Sequence, residues 1–209
     1  PNDTWEWDGA TWEQRAPAQQ PPPRQRPSLA YDSDRQRVVL FGGDGLADTW
    51  EWDGTRWTQR RSLTSPPGRH LHAMAYDAAR RRAVVFGGSS NGQPVANTWE
   101  WDGTTWTERV PSTSPPARNN LAMAYDTSRQ RVVLFGGFDS RDAQLADTWE
   151  WDGTNWAQRT PLTSPSARHG HAMAYDGAHQ RVVLFGGVGG SAIIDLSDTW
   201  EWDGTTWLQ

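Results

Sequence analysis

Cysteine and lysine are both absent from this chain of 209 residues. Without Cys there is no disulfide and no thiolate metal site. All 20 basic residues are Arg, which reads as nucleotide bias from a GC-rich genome, since no physical rule forbids Lys here. No run of about 18 apolar residues occurs, so the sequence offers no membrane-spanning helix. Helical periodicity is missing as well, and Pro and Gly punctuate every connection. Aliphatic residues are scarce: Val, Leu, Ile and Phe together number 30. Beside a large net charge that content would read as disorder. The net charge is only −5, however, and no basic stripe is present to suit nucleic acid.

What the chain has instead is Trp, 15 of them. Each buried Trp removes roughly 150–250 Å² from water, which at about 25 cal/mol per Å² is roughly 4–6 kcal/mol before entropy is subtracted. A core built largely from Trp is therefore feasible.

The Trp residues fall in a repeat. Thr-Trp-Glu-Trp-Asp-Gly begins at Thr4, Thr49, Thr98, Thr148 and Thr199, and Phe-Gly-Gly begins at Phe41, Phe86, Phe135 and Phe185. Periods near 50 residues point to stacked β-sheets of the blade type rather than to helical solenoids. One unit parses into four strands. The first is His169–Tyr175. The second is Arg181–Phe185, an apolar run stopped by Gly186-Gly187 and suited to burial on both faces. In the third, Asp198–Trp202, Trp200 and Trp202 share one face and Glu201 takes the other. After the Asp203-Gly204 hairpin turn comes the outer strand, Thr206–Gln209. In other units this strand ends in a Gln-Arg or Glu-Arg pair such as Gln59-Arg60, whose charge protects an exposed edge.

Four apolar residues followed by Gly-Gly, then two spaced aromatics, a turn and a Trp, resemble the kelch repeat. The diglycines are Gly42-Gly43, Gly87-Gly88, Gly136-Gly137 and Gly186-Gly187; the paired aromatics, usually Tyr in that family, are Trp here, as at Trp50 and Trp52; the later Trp is Trp57, Trp106, Trp156 or Trp207. The resemblance covers essentially the whole chain. It implies an all-β propeller of four-stranded antiparallel blades: four complete blades at 24–60, 69–109, 118–159 and 168–209, and an N-terminal half blade at 1–15. Kelch relatives form six- or seven-bladed rings most often, so the chain reads as an excerpt of a longer parent. Its ends are expected either to close around a thin blade or to associate with further blades, from a second copy or from the parent.

Propellers host many activities, so the fold does not name a function. Alternating strand direction sorts the connections onto two poles. One pole carries monotonous turns. The other carries the variable loops Asp44–Ala47, Ser89–Ala96, Phe138–Ala146 and Val188–Ser197, of 4, 8, 9 and 10 residues. A rigid scaffold with variable loops is where binding residues concentrate. Candidate binding residues on that pole are Asn91, Asp139, Arg141 and Asp195, with Arg24, Arg69, Arg118 and Arg168 at the entry to each unit and His70 and His169 beside them. A ring of guanidinium groups would suit an anion. The competing reading has each Arg bonding loop carbonyls of the adjacent blade. The pairs His70/His72 and His169/His171 would share a strand face and could hold a metal. Their counterparts Gln25/Pro27 and Asn119/Leu121 are not ligands, so polar channel lining is the preferred reading and no metal is expected. The recurrent Glu6, Glu51, Glu100, Glu150 and Glu201 suggest a repeated Glu–Arg pairing rather than an asymmetric acid–base pair.

No catalytic constellation emerges: there is no Gly-x-Ser-x-Gly elbow, phosphate loop or metalloprotease helix. Some kelch relatives are copper oxidases that use a Cys–Tyr crosslink, a chemistry closed to a chain without Cys. Others act on sugars. The expectation is a non-catalytic scaffold for a protein or surface partner, with no cofactor, no nucleic acid and no membrane span. A carbohydrate-related propeller, lectin or enzyme, is the alternative. A secreted or cell-surface setting is favoured over the cytoplasm.

Overall fold

The Val-rich runs and the Thr-Trp-Glu-Trp runs pair with each other because both alternate side chains between two faces that must be covered. In a computed structural model, which describes residues 2–190 and 194–209, these runs build four antiparallel four-stranded sheets and no helix. Pro1, at the head of the proposed half blade, and residues 191–193 of the fourth variable loop lie outside the described residues. Sheet I consists of Ser28–Asp32, Arg37–Phe41, Thr49–Trp52 and Trp57–Arg60, and sheet II of Ala73–Asp77, Arg82–Phe86, Thr98–Trp101 and Trp106–Arg109. Sheet III consists of Ala122–Asp126, Arg131–Phe135, Thr148–Trp151 and Trp156–Arg159, and sheet IV of Ala172–Asp176, Arg181–Phe185, Thr199–Trp202 and Trp207–Leu208. Ahead of them, Thr4–Trp7 and Trp12–Arg15 pair as an N-terminal hairpin.

Register gives every sheet two distinct faces. In sheet I, Val38 lies opposite Trp52 and Leu40 opposite Trp50, while Val39 lies opposite Glu51 and Phe41 opposite Thr49. One face is therefore Trp-rich; the other carries Val, Phe, Thr and Glu. The sheets stack in series, the Trp face of each against the Phe face of the one before. Ala30, Val39 and Phe41 of sheet I pack with Met74, Val85, Trp99, Trp101 and Trp106 of sheet II. The same pattern joins sheet II to III and sheet III to IV. Aromatic contacts recur at each junction: Phe41–Trp106, Phe86–Trp156 and Phe135–Trp207 have ring centroids 5.0, 5.1 and 5.4 Å apart. Trp101, Trp151 and Trp202 are essentially excluded from solvent.

The diglycines hold positive φ, and at most of them a side chain would collide with neighbouring backbone. Gly136 has φ +64° and Gly137 +99°, and a Cβ on Gly136 would come within 2.6 Å of the Arg168 carbonyl oxygen. The other three pairs share the positive φ values. The first strand differs from the continuous run that alternation predicts. Arg168–His169 pairs with Val188–Gly189 in a separate small sheet, and the inner strand begins only at Ala172. Gly170, between them, has φ +65°; Arg26, Leu71 and Asn120 hold the same place in their units at +55, +57 and +56°. This left-handed residue turns the chain away from the direction a pleated strand would keep.

Candidate functional site

The repeated charges are engaged in joining sheets. Trp101 Nε1 donates to Glu51 Oε1 of the preceding sheet at 3.0 Å, Trp151 to Glu100 at 3.1 Å and Trp202 to Glu150 at 2.9 Å. Each of these carboxylates also accepts from an Arg on its own outer strand, Arg60, Arg109 or Arg159. The expected Glu–Arg pairing is present at these three and at Glu6–Arg15, with an indole N–H completing it, whereas Glu201 has no Arg partner among the described residues. The outer Trp residues use the Thr that opens the third strand: Trp106 Nε1 donates to Thr49, Trp156 to Thr98 and Trp207 to Thr148.

The entry arginines do not form an anion-binding ring. Arg69, Arg118 and Arg168 are completely buried, and the Arg24 side chain nearly so. Arg118 donates to the Gly136 carbonyl at 3.1 Å and, through both terminal nitrogens, to Asp147. Arg168 does the same with Gly186 and Asp198, and Arg24 with Gly42 and Asp48. The carbonyl lies in the unit of the Arg itself rather than in the adjacent one, which corrects the sequence expectation. The link to the neighbour runs through the backbone: Gly88 N donates to Arg118 O, and Gly137 N to Arg168 O. Bidentate pairing leaves the guanidinium groups of Arg24, Arg118 and Arg168 nothing to offer a ligand, while Arg69, which bonds Asn97 through one nitrogen, is sealed from solvent.

The histidine pairs are also corrected. The left-handed residue between His70 and His72 breaks the alternation that would put both on one face. His72 is buried edge-on against Phe41, and His171 against Phe135, with ring centroids 5.5 and 5.6 Å apart. Neither imidazole makes a hydrogen bond. Burial, reinforced by the nearby arginine, pulls each down to about 3. These residues are packing elements, as Leu121 is in sheet III, rather than channel lining. Among the described residues no three His, Asp or Glu side chains converge as a metal site would require.

His70 and His169 remain on the loop side, where entry segments meet the variable loops. Ser89 N donates to His70 O, and Phe138 N to Asn119 O. Neighbouring entries are joined too, Asn120 N to Leu71 O and Gly170 N to Asn120 O. The structure brings His70 and Asn91 together in a cleft of about 420 Å³, with Gln25, Arg26, Asp44 and Ser89 as the other polar walls. Asp44 is fixed there by the backbone N–H of Gln25 at 2.7 Å. Arg26 escapes a reading by loop variability alone, because it sits in the entry segment with φ +55°; Asp44 opens the first variable loop, in a tight turn in which Gly42, Gly43 and Gly45 also have positive φ. The other candidates lie apart. His169 stacks on Phe138 at 4.0 Å, and burial lowers its pKa. Asp139 caps its own loop by accepting from Arg141 N and Ala143 N, bonds that hold its carboxyl below the usual range. Arg141 and Asp195 are exposed.

A second concavity, about 570 Å³, is lined by the inner strands of all four sheets. All three Met and all four Tyr of the chain border it: Met74, Met123, Met173, Tyr31, Tyr76, Tyr125 and Tyr175. Two of its phenols are tied to the turn of the preceding sheet, Tyr125 by Ala79 N at 3.1 Å and Tyr175 by Ser128 Oγ at 2.6 Å. The recurrence of Ala-Met-Ala-Tyr-Asp at 73, 122 and 172 was the sequence signal for this cavity. No helix among the described residues is long and apolar enough to cross a membrane. No protein-family model and no curated protein matches the chain.

Proposed function

We propose that the sheets are kelch-type propeller blades, and that the chain is a non-catalytic scaffold binding a protein partner through its variable loops. The observation that carries this reading is a division of labour. The repeated Glu, Arg and Trp are engaged between and within sheets, while Arg26, Asp44, His70 and Asn91, polar residues that do not recur in every unit, face an open cleft. A cleft with one cation, one anion and neutral donors suits a polar peptide surface. A sugar is the second reading. It draws on the cavity ringed by four Tyr, whose volume falls in the range typical of small-molecule sites. The test is a peptide array and a glycan array probed with the wild type and with an Arg26→Ala, His70→Ala, Asn91→Ala triple variant. Peptide binding lost in the triple variant, with an unchanged circular dichroism spectrum, supports the loop site. Glycan binding that the triple variant retains and Tyr125→Ala loses moves the function to the central cavity.

A further inference from the structure

We propose that this chain associates head to tail, the Trp face of the N-terminal hairpin of one copy seating on the uncovered Phe face of sheet IV of a second copy. Each of the three junctions between four-stranded sheets obeys one pattern. The earlier sheet offers a Glu and a Thr as acceptors and a Phe as an apolar seat. The later sheet offers an indole to each acceptor, and the outer-strand Trp also meets the Phe. A fourth element repeats as well. The Asp-Gly turn glycines Gly103, Gly153 and Gly204 lie beneath Arg35, Arg80 and Arg129 of the preceding sheet, so close that a Cβ would collide with the guanidine.

The two ends of the molecule carry the unmatched halves of this pattern. At sheet IV, Phe185 is 55% exposed, Thr199 and Glu201 are exposed, and no indole among the described residues donates to either. His179, in the place of Arg35, projects into solvent and binds only its own Asp176. At the hairpin, Trp7 and Trp12 are 52 and 63% exposed, and their indoles have no acceptor among the described residues. Gly9, the turn glycine, has nothing above it. Because all these groups are exposed together, the two faces do not meet within one chain. Superimposing the internal pattern on two copies assigns Trp7 to Glu201, Trp12 to Thr199 and Phe185, and Gly9 to His179.

A second copy is favoured over an unrelated partner because three internal junctions already use the same donors, acceptors and apolar seat. The hairpin is also anchored to its own chain: Trp52 Nε1 donates to Glu6 and Trp57 Nε1 to Thr4. It therefore presents its Trp face from one end of the stack. Such a contact is heterologous, with different patches on the two partners.

The test uses two variants blocked at opposite ends, Trp7→Ala with Trp12→Ala, and Phe185→Glu. Both alter exposed positions, and circular dichroism checks that each keeps the fold. Sedimentation velocity on the wild type should show association that grows with concentration. Each blocked variant alone should associate at least about tenfold more weakly, as loss of central aromatic anchors does. An equimolar mixture of the two should recover one junction and stop at a heterodimer. A wild type that stays monomeric up to about 1 mM, the weak limit of specific binding, overturns the proposal. So does a Trp-blocked variant that still self-associates, or a mixture that recovers nothing.

Discussion

Asn97 stands where the other three sheets carry Asp48, Asp147 and Asp198, and the exchange leaves two buried donors unmatched. Arg69 Nη2 and Trp99 Nε1 have no partner, whereas their counterparts bond a carboxylate. Burial without a paired carboxylate pulls the Arg69 guanidinium down to about 10. The negative charge has moved to Glu108, which accepts from Asn97 Nδ2 at 3.3 Å and occupies the place of Gln59 and Gln158. Replacing Asn97→Asp together with Glu108→Gln should therefore stabilise the protein by roughly 1–2 kcal/mol, the cost of the donors now left unmade. Asn97→Asp alone should gain less, since two carboxylates would then face each other. Urea unfolding of both singles and the double variant measures this, and a double variant less stable than wild type would refute it. The buried histidines set a pH response. His72 and His171 are held neutral at about 3 in the fold, whereas their ordinary value is 6.5. The unfolded chain thus binds their protons first, and stability falls as pH drops from 6.5 toward 3. His72→Leu with His171→Leu, which copies Leu121 of sheet III, should flatten that decline between pH 6.5 and 4 in thermal melts. An unchanged slope would show that other groups govern it.

At the scale of strands, the Trp and diglycine positions were legible because each follows from alternation or from a steric demand that recurs. Trp101 is 1% exposed, and Trp101→Ala should cost roughly 3–5 kcal/mol, as large aromatic truncations in cores do. Gly136→Ala forces a Cβ into the Arg168 carbonyl at φ +64°. It should cost more than about 1 kcal/mol, while Gly9→Ala, strained but with open space around it, should cost clearly less. Equal losses in chemical denaturation would mean that backbone strain alone sets the effect. The break in the first strand was not legible. Its left-handed residue is Arg26, Leu71, Asn120 or Gly170, and only Asn and Gly advertise that conformation. The partners of the entry arginines were hidden for another reason. Asp147 lies 29 residues beyond Arg118, across a loop whose length varies from unit to unit. The cleft was only partly legible: loop variability marked Asn91 and the entry position marked His70, but neither identified Arg26 and Asp44 as neighbours.

For the whole molecule, the junctions predict what can be removed. Excising residues 69–117 puts Arg118 in the place of Arg69 and sheet III directly after sheet I. Trp151 should then donate to Glu51 and Trp156 to Thr49, as Trp101 and Trp106 do now. The shortened protein should keep cooperative unfolding and a Trp emission spectrum like that of the parent, because stacked repeats depend mainly on nearest neighbours. Red-shifted emission with loss of cooperativity would show that sheets I and III are not interchangeable. Every indole bond between sheets runs from a later sheet to the earlier one, and none of the atoms involved distinguishes the second sheet from the fourth. Such a junction specifies orientation but carries no ordinal. The number of sheets is therefore not set by these indole bonds. A gene that duplicates one repeat unit gains a working interface with no further change.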